Sequence, residues 1–227
     1  MTVKNNPNMK FGPYSVDFTP RLVFEDLRFS IDSGITHFWG KNGTGKTTVM
    51  NLMIDEIKQK NLEFSYINQN YRSNWLWWMT VRENLDFACS KLGLKYSSIE
   101  KVPQIQGQLD WLKPLLEGDK KQVSFNIQNE FSTIGLSGGQ LQRVILLREI
   151  LRKPKFLFLD EAFSALDKTV ALEIAQWLVE QQKEYKFEIV SIVHNKNLVE
   201  AMPGKIYSFR TDFNNRLSLE TSNLKDI

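Results

Sequence analysis

The chain has 227 residues, enough for one α/β domain with a sizeable core and a subdomain. Its 42% hydrophobic and 24% charged residues are those of an ordinary globular protein, and a net charge of +3 gives no argument for nucleic acid. A single cysteine, Cys89, excludes an internal disulfide framework and suits a reducing compartment. No apolar run approaches the ~20 residues that cross a bilayer. The polar stretch 1–10 lacks the apolar core of a signal peptide, so any work at a membrane is expected through a partner.

In chain order, four short apolar runs read as buried parallel strands: 35–39, 64–67, 156–159 and 189–193. Each is too short for a helix, rich in β-branched or aromatic residues, and apolar without alternation. Each leads into a polar or glycine-rich segment, and ligands of open α/β sheets sit beyond the carboxyl ends of the strands. Four loops can therefore converge on one site. After the first run comes Gly40-Lys41-Asn42-Gly43-Thr44-Gly45-Lys46-Thr47, which fits the P-loop pattern, and a helix is predicted over 47–58. Glycines there let backbone N–H groups curl around phosphates, and the helix start adds partial positive charge. Gly40, Asn42, Gly43, Gly45, Lys46, Thr47 and Thr48 are the phosphate-binding candidates. Lys46 is expected on the β- and γ-phosphates, and the Thr47 hydroxyl on Mg²⁺. His37, inside the strand, reads as structural.

A helical insert is predicted over about 71–135, with helices at 80–94 and 108–116 and irregular polar stretches between. Cys89 falls in the first of these as a small packing residue. Trp75, Leu76, Trp77, Trp78 and Met79 concentrate aromatic area near the insert's start. If extended, Trp75, Trp77 and Met79 would share one face and Leu76 and Trp78 the other. Two readings stay open: a docking patch for a partner helix, centred on Trp77 or Trp78 with Met79, or an aromatic mini-core. A second strong helix is predicted over 140–152. There Leu141, Val144, Leu147 and Leu151 lie on one face, with Gln142, Arg143 and Glu149 away from it. Asp160 and Glu161 follow the third strand. Carboxylates at that place can hold a Mg²⁺ shell and orient or deprotonate an attacking water. A hairpin is expected over 205–220, turning at Asn214-Asn215.

Leu136-Ser137-Gly138-Gly139-Gln140, leading into Leu141-Gln142-Arg143-Val144, matches the signature of the ATP-binding-cassette (ABC) ATPases. The P-loop, Gln69 after the second strand, the signature, Asp160-Glu161, the turn Ser164-Ala165-Leu166-Asp167 and His194 after the fourth strand follow that family's order, so most of the chain resembles it. The resemblance implies a P-loop α/β core with a small antiparallel β subdomain near the N-terminus. It also implies ATP and Mg²⁺ as cofactors, with Thr47, Gln69 and Asp160 near the metal. Glu161, His194, Gln69 and Lys46 become the catalytic set: Glu161 as base, His194 as the γ-phosphate switch, and Gln69 as contact to Mg²⁺ or water and sensor of a membrane partner. Ser137, Gly138, Gly139 and Gln140 open a helix, so hydroxyl, N–H groups and dipole can face an anion. In the family that anion is the γ-phosphate of a second, head-to-tail copy, and Asp167 lies at the dimer seam. For the adenine, Phe18 aligns best and Tyr14 is the alternative.

Ala162, where importer subunits often carry Pro, is commoner in exporters, while Phe163 points towards importers, and the run Trp78-Met79-Thr80-Val81-Arg82-Glu83-Asn84-Leu85 resembles importer subunits of the sulfonate and nitrate kind. Segment 126–135 resembles them poorly. The expectation is one ABC ATPase domain over 1–227, peripheral on the inner face of the cell membrane and bound to separate transmembrane subunits near 75–79. It would pair with a second such domain and need no direct nucleic-acid contact. A soluble ABC ATPase acting on DNA, ribosomes or Fe–S assembly is the rival. The chain lacks the coiled-coil heptads of the first and the paired cassettes of the second. A module that holds ATP without turnover is disfavoured by Lys46, Asp160, Glu161 and His194.

Overall fold

The computed structural model describes residues 9–18, 22–76, 78–90, 100–117, 136–212, 214 and 216–227. They divide into two compact units, Met1–Gln69 with Lys155–Ile227, and Asn70–Pro154.

The first unit holds two sheets. Strands β1 (Met9–Phe18) and β2 (Leu22–Ile31) form an antiparallel pair, in register from Met9↔Ile31 to Phe18↔Leu22. The second sheet has the order β4-β5-β6-β3-β7-β8. Its strands are β3 (Ile35–Trp39), β4 (Phe64–Ile67), β5 (Phe156–Asp160), β6 (Glu188–Ile192), β7 (Lys205–Thr211) and β8 (Leu217–Ser222). All pair in parallel except β7 with β8. The inner strands β5 and β6 are buried along their whole length, which is why their sequences are apolar without alternation. At the edges, β4 and β8 alternate in burial. The predicted hairpin is present as the antiparallel pair β7–β8, in register from Ile206↔Ser222 to Thr211↔Leu217, and it does more than the sequence suggests. Its first arm, β7, is a fifth parallel strand in register with β3, because Ile206, Tyr207 and Phe209 are core residues. At the turn the Asp212 carboxylate accepts from Asn214 N and Arg216 N at 2.8 and 2.9 Å; Asn215 lies outside the described residues.

Aromatic rings join the two sheets. Phe29 of β2 meets Phe11, Phe38 and Tyr207 at centroid distances of 5.8, 5.9 and 5.6 Å. Helix α1 (Lys46–Gln59) adds Val49, Met50, Met53, Ile54 and Ile57, all buried at helical spacing. Burying each such side chain contributes about 1.5–3 kcal/mol. His37 lies at the centre of this sheet, fully buried, with Nδ1 2.7 Å from Ser191 Oγ and Nε2 2.6 Å from Met202 O. A carbonyl only accepts, so Nε2 carries the proton and Nδ1 accepts from Ser191. Burial holds the His37 pKa below its ordinary value. After β5 comes α6 (Lys168–Tyr185), and after β6 the short α7 (Lys196–Ala201).

The second unit is helical, with α2 (Val81–Cys89), α3 (Pro103–Gln106), α4 (Leu109–Glu117) and α5 (Gly138–Leu151). Thr80 and Glu83 close a capping box at the start of α2, and Cys89 is buried in its last turn. The predicted continuation to residue 94 and the stretch before the signature lie outside the described residues. Two expectations are corrected. Helix α5 is not amphipathic: every residue from Val144 to Leu151 is buried, and Gln142 and Glu149 are 0% and 2% exposed. Ile145, Leu146 and Ile150 make its second face as apolar as the first, and Arg148 and Arg152 neutralise Glu149. Nor is 75–79 extended. A 3₁₀ turn at Tyr71–Asn74 precedes it, and Met79 N donates to Leu76 O at 3.0 Å. The chain therefore turns, burying Trp75 at 5% and leaving Trp78 64% exposed; Trp77 lies outside the described residues.

Candidate functional site

The loop between β3 and α1 is shaped by glycine. Gly40 has φ 153°, and a Cβ there would sit 2.5 Å from Phe209 O, so no other residue fits without moving β7. Gly45, the N-cap of α1, is left-handed and offers no side chain to the helix start, so its first-turn N–H groups face outward unclaimed by a cap. Lys46 is 5% exposed. Its ammonium donates to Gly40 O and Lys41 O at 2.9 and 2.7 Å, and the Thr44 hydroxyl donates to Lys41 O at 2.9 Å. Burial pulls the Lys46 pKa down, opposed by the charges of Glu161 and Asp160. Asn42 and Gly43 are exposed on the loop's outer side, and Thr48 is half-buried in the first turn of α1.

Because β3, β4, β5 and β6 run parallel, the residues that follow them share one edge. Asp160, at the end of β5, accepts from the Thr47 hydroxyl on one oxygen and from the Tyr66 hydroxyl on the other, both at 3.2 Å. Burial raises its pKa; the two hydroxyls oppose that, Glu161 adds to it and Lys46 opposes it. Tyr66 is pushed up to about 12 by burial and the Asp160 charge. Glu161 stands in a left-handed conformation, φ 51°. Its N–H donates to Ile192 O at 3.2 Å, tying the ends of β5 and β6 together. Its carboxylate is held from both sides, by His194 Nε2 at 2.8 Å and by Gln69 Nε2 at 3.3 Å. Lys46, Thr47, Gln69, Asp160, Glu161 and His194 thus gather in the first unit. Asp167 stands apart as the exposed N-cap of α6, with no side-chain bond to that helix.

The residues fit Mg·ATP. A hydroxyl and a carboxylate oxygen in contact are the hard donors Mg²⁺ takes, and a lysine inside a loop of outward N–H groups suits phosphate. In the second unit, Ser137 is the N-cap of α5. Its hydroxyl accepts from Gln140 N at 3.2 Å, and Gln140 Oε1 accepts from Ser137 N at 2.9 Å. The Ser137 O–H proton remains to be donated elsewhere, beside half-buried Gly138 and Gly139.

Tyr14, the alternative adenine residue, is corrected. It is 9% exposed, packs edge-on against Phe29, and donates its hydroxyl to Glu56, so it has no free ring face. Phe18 closes β1, and its side chain lies outside the described residues. Three residues carry no signal in the sequence. Thr44 is an unspecified position of the P-loop pattern. Tyr66 looks like an ordinary strand aromatic, and only its place one residue before the end of β4 hints at the site. Arg148 reads as a surface charge but is 6% exposed.

A family model described as ABC transporter matches residues 24–164. The chain is 26% identical over 225 residues to the spermidine/putrescine import ATP-binding protein PotA of Aggregatibacter actinomycetemcomitans, covering 92% of this chain and 57% of that protein. It therefore spans little more than half of that relative. It is 29% identical over 195 residues to the taurine import ATP-binding protein TauB of Escherichia coli O157:H7, covering 79% of this chain and 70% of that protein. CbiO1 from Clostridium perfringens, part of the ABC transporter complex CbiONQ, superposes with a TM-score of 0.69 at 21% identity over 96% of this chain and 88% of its own. A nucleotide-free ATP-binding cassette from an ABC transporter superposes with a TM-score of 0.63 at 18% identity, over 95% of this chain and 92% of its own. With the family model spanning more than half of the sequence and the P-loop edge laid out as above, the chain belongs to the ABC transporter family.

Proposed function

We propose that this chain binds Mg·ATP and hydrolyses it as one half of a nucleotide-sandwich dimer, energising transport through separate membrane subunits. The observation that carries the reading is the Glu161 carboxylate, held between His194 Nε2 at 2.8 Å and Gln69 Nε2 at 3.3 Å, on the edge that also holds Lys46, Thr47 and Asp160. Bound Mg²⁺ supplies charge neutralisation and Lewis acidity, with Thr47, Asp160 and Gln69 as its holders. Lys46 and the loop N–H groups bind phosphate oxygens. Glu161 orients the attacking water and takes its proton, and the two contacts to its oxygens fix its aim. His194, on the next strand end, holds that carboxylate through Nε2, and in the nucleotide-bound state it turns its single N–H to the γ-phosphate. Ser137, Gly138, Gly139 and Gln140 serve the second copy's nucleotide, Asp167 lies at the seam between copies, and Phe18 stacks on the adenine.

The reading is tested by Glu161→Gln, which keeps the shape and removes the base. ATP binding persists, turnover falls by at least about a hundredfold, and a dimer accumulates with Mg·ATP on size exclusion. Parental turnover in this variant sinks the assignment. Shared catalysis is tested by mixing Ser137→Arg and Lys46→Ala proteins, each inactive alone. Their heterodimer holds both lesions in one site and regains activity from the other.

Among the described residues no helix is long and apolar enough to cross a membrane. The membrane part of the reading therefore rests on a partner, and the import relatives support that. The surface offered to it centres on Trp78, 64% exposed beside half-buried Met79, and attachment would make the chain peripheral on the inner face of the cell membrane. Trp78→Ala leaves the melting temperature unchanged and releases the membrane partner on co-purification. Trp75→Ala costs about 3–5 kcal/mol in the isolated chain, as an emptied core site does.

A further inference from the structure

The second unit contains a polar joint that neither packing nor nucleotide chemistry accounts for. Asn84, in the first turns of α2, is fully buried, and every polar atom of its side chain is used. Its Oδ1 accepts from Leu76 N at 3.3 Å and from Arg148 Nη1 at 3.1 Å. Its Nδ2 donates to Leu76 O, Met79 O and Thr80 O at 3.1, 3.2 and 3.1 Å. One amide thus pins both ends of the turn that carries Trp78. Two N–H protons shared among three carbonyls make one of these bonds bifurcated, and the turn cannot shift without breaking several at once.

Arg148 ties the same turn to α5. Its guanidinium donates to Asn84 Oδ1, to the carbonyl of Asn74, and through Nε and Nη2 to Glu149 Oε1 at 3.1 and 2.7 Å. Glu149 Oε2 in turn accepts from Arg152 at 3.0 Å. The planar fork fixes directions that a flexible ammonium could not. Burying these charged groups does little for net stability compared with apolar packing. Their yield is geometric, a fully satisfied and therefore stiff network. It lies in the same helix that begins with Ser137, Gly138 and Gly139, about 15 Å away at 1.5 Å per residue.

We propose that Asn84 and Arg148 are positioning residues that make the Trp78 turn and the signature helix one rigid piece. Engagement of Ser137 and Gly138 by a second copy's nucleotide is thereby registered at the Trp78 surface, and a partner bound at Trp78 biases that engagement. The inference rests on the nucleotide-sandwich reading above. Lying between two sites is not by itself evidence of coupling, so the coupling itself must be measured.

The experiment uses the full chain carrying Glu161→Gln, labelled with 5-fluorotryptophan, with the Trp78 resonance assigned by Trp78→Phe. Adding Mg·ATP is expected to shift the Trp78 fluorine signal as the dimer forms. In Arg148→Lys, and separately in Asn84→Asp, that shift is lost. ATP affinity in both stays within about threefold of the parent, below the ~5-fold at the low end of ordinary couplings. Arg148→Lys keeps a charge for Glu149, and Asn84→Asp keeps an acceptor for Arg148, so if one variant fails to fold the other carries the test. A role confined to stability lowers the melting temperature and leaves the fluorine response intact, which overturns the proposal. So does a parent that binds ATP and dimerises without any response at Trp78. A parent that neither binds ATP nor dimerises overturns the sandwich reading as well, and affinity measurements tell these two failures apart.

Discussion

Two helices of this molecule begin beside glycines and are assigned to phosphate, yet they begin differently. Helix α1 starts from Gly45, left-handed and without a side-chain cap. Helix α5 starts from Ser137, closed into a capping box with Gln140. The first, with glycine at the N-cap, gives up only about 0.3 kcal/mol of capping, and its loop is held by the sheet, through the close approach of Gly40 to Phe209 and the wrapping of Lys46. The second supplies its own cap, the reciprocal pair of Ser137 and Gln140. A helix start can be prepared for an anion either by the frame around it or by its own first turn. The frame permits every N–H to face the ligand, whereas the capping box commits one of them to Ser137 itself.

The comparison breaks if equivalent changes at the two starts act alike. The largest difference is expected from glycine to alanine. At Gly40, with φ 153° and a backbone oxygen 2.5 Å from the new Cβ, ATP affinity falls at least about a hundredfold, some 2.8 kcal/mol, measured by titration calorimetry. At Gly138, already helical, alanine is expected to keep or raise the melting temperature, by up to about 1 kcal/mol in stability. Equal losses at both positions would remove the distinction. Next in size is Ser137→Ala, which costs about 1 kcal/mol by loss of the cap, or some 2–4 °C for a chain of this size. Ser137→Asp restores the cap and the melting temperature, but its charge repels the phosphate, so the ATP-dependent dimer does not return. A dimer at parental ATP concentrations with aspartate there would show that the cap alone defines the second start.

The smallest effect concerns the frame. His37 lies just ahead of Gly40 in β3, and burial lowers its folded pKa. Its contribution is therefore whole above the unfolded value of about 6.5 and is lost as pH falls from there towards the folded pKa, because the unfolded chain takes the proton first. Denaturant midpoints should fall from pH 7 to pH 5.5, and His37→Gln should flatten that part of the profile. An unchanged slope in the variant assigns the acid sensitivity to other groups.

Much of the site was legible because its chemistry is local. The P-loop, Asp160-Glu161 and the signature each declare themselves within a few residues, and the strands that deliver them are apolar enough to be read as buried. The rest was hidden where meaning depends on a partner far along the chain. Tyr66 finds Asp160, and Asn84 finds Arg148, across separations of 94 and 64 residues. Gln142 and Glu149 are polar letters in a buried helix; Arg148 and Arg152 stand close to Glu149 in sequence and pair with it, but that Arg148 is itself buried depends on Asn84 and Asn74, far along the chain. The Trp75 segment hides its conformation for the same reason. Its alternation was real on paper, but the carbonyls pinned by Asn84 turn the chain and send Trp75 and Trp78 to opposite environments.

Glu161 stands in a backbone conformation that favours glycine, φ 51°, at the position assigned to the base. A side chain there costs on the order of 1 kcal/mol relative to glycine, and neighbouring strand ends hold it in place. Selection for robustness and selection for turnover therefore pull this position in opposite directions. A library screened only for heat resistance should drift towards Glu161→Gly and lose hydrolysis. A library screened for activity should keep glutamate and collect its compensating changes among the residues around Ile192, whose carbonyl receives the Glu161 N–H.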